Sequence, residues 1–265
     1  MSLAGGAEQI SLLRTAIARI EAGAQAGQAT SGIAVSLVQR RSAFFELAPA
    51  APVDRGAATG FAMALAARFA RAQNGPVLWI AEDFALSEWG VPYGPGLAAY
   101  GLGWRDFTLM RLARRADVWL AMEEAIRARA FAAIVAEPMS LASSLAGADC
   151  PNLVRRLTMG ARAAGARAIL LRPPANERAP FLAPTPMRFE IAARPAPRPS
   201  AGRRPLPGRA AWGVRCAGPP GSLPGIDPDA FHSVDLAACL AGEDVLSAAL
   251  SLRFPAQPSA SARAA

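Results

Sequence analysis

Hydrophobic residues recur at two different spacings along this chain. The first spacing is helical and is carried by Ile10, Leu13, Ile17 and Ile20. It predicts an N-terminal amphipathic helix, which ends in a Gly/Ala/Gln-rich linker over residues 22–32. Further along, short and continuously apolar runs alternate with longer segments of helical periodicity. Apolar strands separated by helices are typical of a parallel sheet covered on both faces, so the sequence predicts a three-layer α/β domain.

The apolar runs give the boundaries of the predicted elements. Strands are predicted at Ala43–Ala48, Pro76–Ala81, Phe107–Arg111, Phe131–Ala136 and Ala166–Leu171, and helices at Gly56–Ala72, Leu97–Leu102, Ala116–Arg129 and Ala148–Ala164. The segment Phe84–Gly96 is rich in Gly, Pro and aromatic residues and is predicted to be a long loop. Two later strands, Met187–Ala193 and Ala211–Cys216, either extend the sheet at an edge or form a small hairpin.

Proline and charge divide the chain near Arg172. Residues 172–265 hold 16 of the 23 prolines, and the tract Arg172–Arg215 holds nine arginines against two acids. Because proline interrupts both helices and strand ladders, we expect a Pro/Arg-rich, poorly ordered C-terminal tail. The tract is either available to an anionic partner or a solvating linker whose arginines reflect coding bias.

Three regions follow from these patterns. Residues 1–32 are the N-terminal helix and linker, residues 33–193 are the core, and residues 194–265 are the C-terminal region. We expect removal of residues 194–265 to leave the core folded, because so many prolines argue against its integration.

The residue types that are missing exclude several classes of enzyme. All 28 basic residues are arginine, so the chain has no lysine for a Schiff base or for the phosphates of P-loop ATPases and kinases. One histidine, His232, argues against Ser-His-Asp triads and multi-histidine zinc sites. Three widely spaced cysteines exclude a disulfide framework and a Cys-x-x-Cys metal site. We therefore expect no metal and no cofactor.

Hydropathy and the first residues indicate the compartment. No stretch of about 18 apolar residues is free of Arg, Gly or Pro, and Met1–Ile10 does not read as a secretory signal. We expect a cytoplasmic protein without membrane association.

The segment that follows the first predicted strand has the length and position of a phosphate-binding loop. A working loop reads G-x-x-x-x-G-K-[ST], because glycines let backbone amides surround phosphate, lysine neutralises charge and the hydroxyl binds magnesium. In this chain Gly56 is kept, Ala57 and Ala58 replace the lysine and the hydroxyl residue, and Thr59 comes one position late. We expect neither tight triphosphate binding nor hydrolysis, and therefore no enzyme.

Four phrases of the chain carry a family resemblance. They are Gly56–Ala62, Pro76–Ile80, Tyr93–Leu97 and Ala121–Ala125. Together they resemble the ImuA family, RecA-related accessory proteins of bacterial damage-induced mutagenesis, and the order of segments from about residue 8 to residue 193 resembles the RecA-like fold. The resemblance places Glu82 at the catalytic glutamate of recombinases, and Glu137 where their magnesium-associated aspartate stands.

This resemblance implies a vestigial nucleotide site at Gly56, Ala57, Ala58, Thr59, Glu82 and Glu137. After the strand Ala166–Leu171 the chain continues with Arg172-Pro173-Pro174, where a recombinase carries a polar γ-phosphate sensor. Pro138–Gly147 is short and mainly apolar, unlike the mobile DNA-binding loops of recombinases. The resemblance therefore does not extend to filament formation on DNA.

The resemblance implies a non-catalytic adaptor in the SOS response and in error-prone translesion DNA synthesis. Such an adaptor bridges an ImuB-like inactive Y-family polymerase homologue and an error-prone replicative-type polymerase, or modulates RecA. Two alternatives stay open, a SulA-like cell-division inhibitor and a weak DNA-dependent ATPase.

Two sets of side chains are candidate contacts with partners. Aromatic residues of the predicted loop form the first set, Phe84, Trp89, Tyr93 and Tyr100, which either anchor a protein partner or cap the open end of the sheet as core. Paired arginines form the second set, Arg114, Arg115, Arg155 and Arg156, which either contact DNA phosphates or face water at helix ends. We expect DNA binding to be weak or indirect.

Overall fold

The computed structural model describes residues 44–141, 150–174, 187–195, 210–216 and 229–241, which all belong to one compact unit. The predicted N-terminal helix and linker, residues 1–32, lie outside the described residues. The strands are β1 (Phe44–Pro49), β2 (Val77–Glu82), β3 (Phe107–Leu112), β4 (Ala133–Glu137), β5 (Ala168–Leu171), β6 (Met187–Arg194), β7 (Ala211–Cys216) and β8 (His232–Asp235). The helices are α1 (Arg55–Gln73), α2 (Asp83–Trp89), α3 (Gly94–Ala99), α4 (Arg115–Ala128), α5 (Cys150–Ala164) and α6 (Leu236–Ala241), with a 3-10 turn at Pro52–Asp54.

All eight strands join one sheet in the order β3-β2-β4-β5-β1-β6-β7-β8. In this order, the first six strands pair in parallel with one another. Strand β7 runs antiparallel to both of its neighbours, β6 and β8. Because β1 to β5 are joined by helical crossovers, the predicted α/β class and the largely parallel sheet are confirmed.

Helices cover both faces of the sheet and bury two apolar clusters. On one face, α1, α2, α3 and α6 pack over Phe45, Leu47, Trp79 and Phe189. On the other face, α4 and α5 pack over alternate residues of the same strands, including Phe44, Leu78 and Ile80. The alternation follows from the pleat, in which successive side chains point to opposite faces. Helix α1 is buried from Phe61 to Ala70, and its many alanines let it lie close to the strands.

The segment Phe84–Gly96 is not a long loop, so that prediction is wrong. It contains all of α2 except the first residue, Asp83, and it contains the start of α3, which begins three residues before the predicted helix Leu97–Leu102. Gly90 has φ of +88° at the C-cap of α2, and a proline lies in the first turn of α3. Glycine is common just after a helix, and proline is common in the first turn of one. In the sequence alone, such residues at helix ends look the same as the glycines and prolines of a loop.

The C-terminal region also departs from the prediction. Strands β7 and β8 extend the sheet beyond β6, and α6 packs on α1, although all three lie within residues 194–265. Trp212 of β7 is buried and meets Phe61 of α1 in an edge-to-face contact with ring centroids 5.5 Å apart. Residues 210–216 and 229–241 are therefore part of the core and not of a poorly ordered tail. The rest of region 194–265, apart from Arg194 and Pro195, lies outside the described residues.

Within the part of the chain that the structure describes, no helix combines the length and the hydropathy needed to cross a membrane.

Candidate functional site

The carboxyl ends of the parallel strands meet at one edge of the sheet, where open α/β sheets bind their ligands. At this edge β1 leads through Ala50, Ala51 and the 3-10 turn into α1, β2 ends at Glu82, and β4 ends at Glu137. The fold therefore brings the candidate nucleotide positions of three separate segments to the same edge. We call the space between them the strand-end crevice.

A buried ion pair lies at this edge of the sheet. Arg55, the first residue of α1, pairs through Nη2 with Oε1 of Glu137, and their side chains are only 8% and 4% exposed. The Glu137 carboxylate also accepts a hydrogen bond from Trp79 Nε1, at 2.6 Å from Oε2. Trp89 of α2 covers the guanidinium, whose central carbon lies 4.3 Å from the indole centroid. The protein thus supplies its own cation and anion at the strand ends.

Burial perturbs both members of the pair. Loss of solvent raises the pKa of Glu137, although the charge of Arg55 and the hydrogen bond from Trp79 act in the opposite direction. Loss of solvent also lowers the pKa of Arg55, and the charge of Glu137 opposes that effect. Each charge depends on the other, because a single buried ion without its partner carries a large desolvation penalty.

The phrase that resembles a phosphate loop is in fact the first turn and a half of α1. Gly56 is exposed, has a helical backbone, and has no heavy atom within 4 Å of the place where a Cβ would stand. Ala57 is half-buried and Ala58 is fully buried against the core. Thr59 donates its hydroxyl to the backbone oxygen of Arg55 at 3.1 Å. None of these four residues offers the crevice a polar side chain that is free to hold phosphate or magnesium.

The turn before α1 is fastened to the neighbouring strand β6. Asp54 accepts a hydrogen bond from the backbone N–H of Ala193 at 2.8 Å, and Ala50 donates to the backbone oxygen of Ile191, also at 2.8 Å. A phosphate loop needs backbone amides that point at the ligand. Here the turn is short and its polar groups bind β6.

Glu82 lies at the same edge but forms different contacts. Its Oε2 accepts a hydrogen bond from the backbone N–H of Met139 at 2.9 Å, and Arg115 Nε lies 3.7 Å from the same oxygen. Glu82 therefore holds the chain that follows β4 and the start of α4. Among the described residues, no group of three or more His, Cys, Asp or Glu side chains is arranged to hold a metal ion.

The four candidate aromatic residues separate into two pairs. Phe84 and Tyr93 are 56% and 73% exposed, so they are available to a partner. Trp89 is half-buried over Arg55. Tyr100 packs against the core beside Gly60, and burial raises the pKa of its hydroxyl. Tyr100 therefore belongs to the core, as one alternative of the sequence analysis has it, whereas Phe84 and Tyr93 stay candidates for contact with a partner.

Three of the four candidate phosphate-contacting arginines form ion pairs with acids of the chain. Arg114 pairs with Asp117 at 2.9 Å, Arg115 lies near Glu82, and Arg156 pairs with Glu123 at 2.9 Å. Arg155 is exposed on α5, far along the chain from the first pair. The two pairs lie on different helices, and the neighbouring acids reduce their attraction for DNA phosphates.

Sequence reasoning missed the roles of Arg55 and Trp79. Neither residue is among the candidate site residues that the sequence pattern indicates. A usable signal was present, because a strand that carries Trp beside a strand that ends in Glu predicts a partner for the indole N–H.

A second buried pair was also missed. Glu46 interrupts the apolar run of β1 and is fully buried, and its Oε1 accepts a hydrogen bond from Arg172 Nη1 at 3.0 Å. Arg172 follows β5, the neighbour of β1 in the sheet. A charged residue within a buried strand requires a partner. Glu46 in the apolar run of β1 therefore predicts an arginine or a similar group beside it.

No protein-family model matches this chain, and no curated protein matches it. Among solved structures the chain is similar to SulA from Pseudomonas aeruginosa, at 19% sequence identity and a TM-score of 0.35. The match covers 49% of this chain and 98% of that protein.

Proposed function

We propose that this protein is a non-catalytic adaptor of the ImuA type, with a RecA-like core, that acts in the SOS response and in error-prone translesion DNA synthesis. The four phrases that resemble ImuA support the family. The meeting of residues 55–59, Glu82 and Glu137 at one sheet edge supports the RecA-like reading, because a nucleotide site of that fold needs these segments together.

The observation that carries the non-catalytic part is the buried pair of Arg55 and Glu137. Phosphoryl transfer depends on a positioned triphosphate, a magnesium ion and charges that stabilise the transition state. In this crevice the helix start carries a guanidinium already bound to the protein's own carboxylate. The hydroxyl of Thr59 is bonded within its helix, and the chain contains no lysine.

An adaptor acts through its surface, so the exposed side chains next to the crevice are the part that supports a docking role. Phe84 and Tyr93 project from α2 and from the residue before α3. Exposed aromatic residues are frequent anchors of protein interfaces. We propose an ImuB-like polymerase homologue and an error-prone replicative-type polymerase as partners, with RecA as a further one, and a cytoplasmic location.

The first test is ATP hydrolysis by the purified chain with magnesium, measured with and without single-stranded DNA. We expect no turnover above that of a buffer blank, because Arg55 is already paired with Glu137 and the chain has no lysine to bind the phosphates. Turnover that Glu82→Gln abolishes would show an active ATPase and refute the adaptor proposal.

The second test is deletion of the gene in its own host. We expect loss of damage-induced mutation with normal cell division, and recovery of an ImuB-like protein when the tagged chain is purified from damaged cells. Filamentous cells on overexpression, together with unchanged mutation in the deletion strain, would instead support a division inhibitor.

A further inference from the structure

A groove runs between α4 and α5 on the face of the sheet opposite α1. Its volume is about 520 Å³. The two helices connect β3 to β4 and β4 to β5, and because these strands are parallel the helices also run parallel to each other. The groove therefore lies between two parallel helices, on the face of the sheet opposite α1, which begins at Arg55.

The floor of this groove is apolar. Ile126 of α4 and Leu157 of α5 are buried beneath it, and Met159 stands at its side with 59% of its surface exposed. Gly160 leaves a gap in the α5 wall, because a Cβ there would meet only Ile126 Cγ2, at 3.6 Å. A flexible and exposed methionine beside an apolar floor is typical of surfaces that accept a partner's side chains.

Arginine dominates the rim of the groove. Glu123 of α4 is 14% exposed and is shared by two guanidiniums, Arg127 at 2.6 Å and Arg156 at 2.9 Å. Arg127 also contacts Glu124 at 2.5 Å, and Arg155 adds a third guanidinium from α5. Three arginines face two acids, and each guanidinium has five N–H donors, so the rim keeps positive charge and spare donors.

We propose that this groove binds an acidic amphipathic helix of a partner protein. A helix presents apolar side chains at i, i+3, i+4 and i+7, which suit an apolar groove between two helices. Carboxylates on the flanks of that helix would meet the outward N–H groups of Arg127, Arg155 and Arg156, in the charge-assisted hydrogen bonds that guanidinium favours.

Nucleic acid fits the same groove less well. None of the described residues that line it is aromatic, and single-stranded DNA binds through base stacking on aromatic groups together with a continuous basic track. The proposal is independent of the nucleotide crevice and of the ImuA assignment, and it can fail while either of those stands.

Binding is tested with the full chain and a fluorescein-labelled designed peptide of about five helical turns, with leucine along one face and glutamate on the flanks. A second peptide carries the same leucines with arginine in place of glutamate, and the third probe is single-stranded DNA. We expect saturable binding of the acidic peptide, at least about tenfold tighter than the basic peptide, in fluorescence anisotropy.

Two substitutions at one position locate the binding site. Gly160→Leu places a side chain in the gap and is expected to weaken the acidic peptide at least about tenfold. Gly160→Ala is the matched control and is expected to keep full affinity, because its Cβ makes only an ordinary contact with Ile126. Arg155→Glu is expected to weaken binding and its salt dependence, whereas Arg114→Glu, outside the groove, is expected to leave both unchanged.

Folding of each variant is checked by circular dichroism and thermal unfolding. If Gly160→Leu does not fold, the exposed Met159→Glu replaces it with the same expectation. Equal affinity for the acidic and basic peptides would overturn the proposal. So would unchanged binding in both groove-blocking variants, or single-stranded DNA that binds more tightly than the acidic peptide and responds to Gly160→Leu.

Discussion

Replacing Arg55 by methionine removes the cation of the buried pair while it keeps a long, unbranched side chain under Trp89. Glu137 then stays buried, with Trp79 Nε1 as its remaining side-chain donor. The substitution separates the charge of residue 55 from its contribution to packing.

The expected loss of stability is large. Both side chains of the pair are more than nine-tenths buried, and removing one partner of such a pair costs about 3 to 5 kcal/mol, because the other charge is left in a poorly solvated site. Arg111→Met is a matched control. Arg111 pairs with Asp83 at 2.9 Å, but both side chains are about half exposed, so its loss is expected to cost less than about 1 kcal/mol.

The dependence on pH distinguishes a charge effect from a packing effect. Burial already raises the pKa of Glu137 in the folded protein, and loss of Arg55 raises that pKa further. A carboxyl whose folded pKa exceeds its unfolded value of about 4.3 binds more protons in the folded protein than in the unfolded chain. The free energy of unfolding therefore falls as the pH rises through the folded pKa. The cost of Arg55→Met is therefore expected to be smallest near pH 5 and largest near pH 8.

Urea unfolding at pH 5, 6.5 and 8 measures the effect, with Glu137→Gln and the double variant completing a mutant cycle. Glutamine keeps an oxygen for Trp79 and removes the charge. We expect each single variant to be strongly destabilised at pH 8 and the double variant to lose much less than their sum. A cost that is equal at pH 5 and pH 8, or two losses that simply add, would refute the account of a mutually dependent pair.

Two further predictions concern the same core. Trp79→Phe removes the indole donor to Glu137, so we expect a loss of about 1.5 to 3 kcal/mol at pH 8 and a smaller loss at pH 5, in urea unfolding. A chain that ends at Pro195 lacks β7, β8 and α6, and it exposes Phe61 because Trp212 is no longer there to cover it. We therefore expect its thermal transition to lose cooperativity, contrary to the expectation from proline content. An unchanged sharp transition would show that the core folds without the C-terminal region.

Local patterns predicted most of the parallel part of the sheet. The predicted helix Gly56–Ala72 is α1 within one residue at each end, and Ala211–Cys216 is β7 with the same bounds. The helix is long and the strand is mostly apolar, so both patterns are clear. Glu123 and Arg127 are in contact, and this contact also depends on local spacing, because residues four apart on a helix lie side by side.

Prediction was weaker where glycine and proline lie at the ends of short helices. Gly90 and Pro95 suggested a continuous loop, but they mark the end of α2 and the first turn of α3. Strand β8 and helix α6 are not predicted by the pattern, because each has only a few residues and the two together follow a Pro/Gly-rich segment. These two elements form because β8 pairs with β7 and α6 packs on α1, and such contacts are not visible in a short stretch of sequence.

The sequence by itself determined the α/β fold class, the positions of the main helices and strands, and the absence of lysine from the candidate phosphate loop. Those features depend on neighbours within a few turns of chain, where spacing alone fixes which side chains share a face. Only the tertiary structure decided that Arg55 pairs with Glu137, that Glu46 pairs with Arg172, and that Trp212 completes the core. These contacts join residues that are far apart in sequence, and burial selects them because a charge or an indole in the interior must find its partner wherever the sheet order places one.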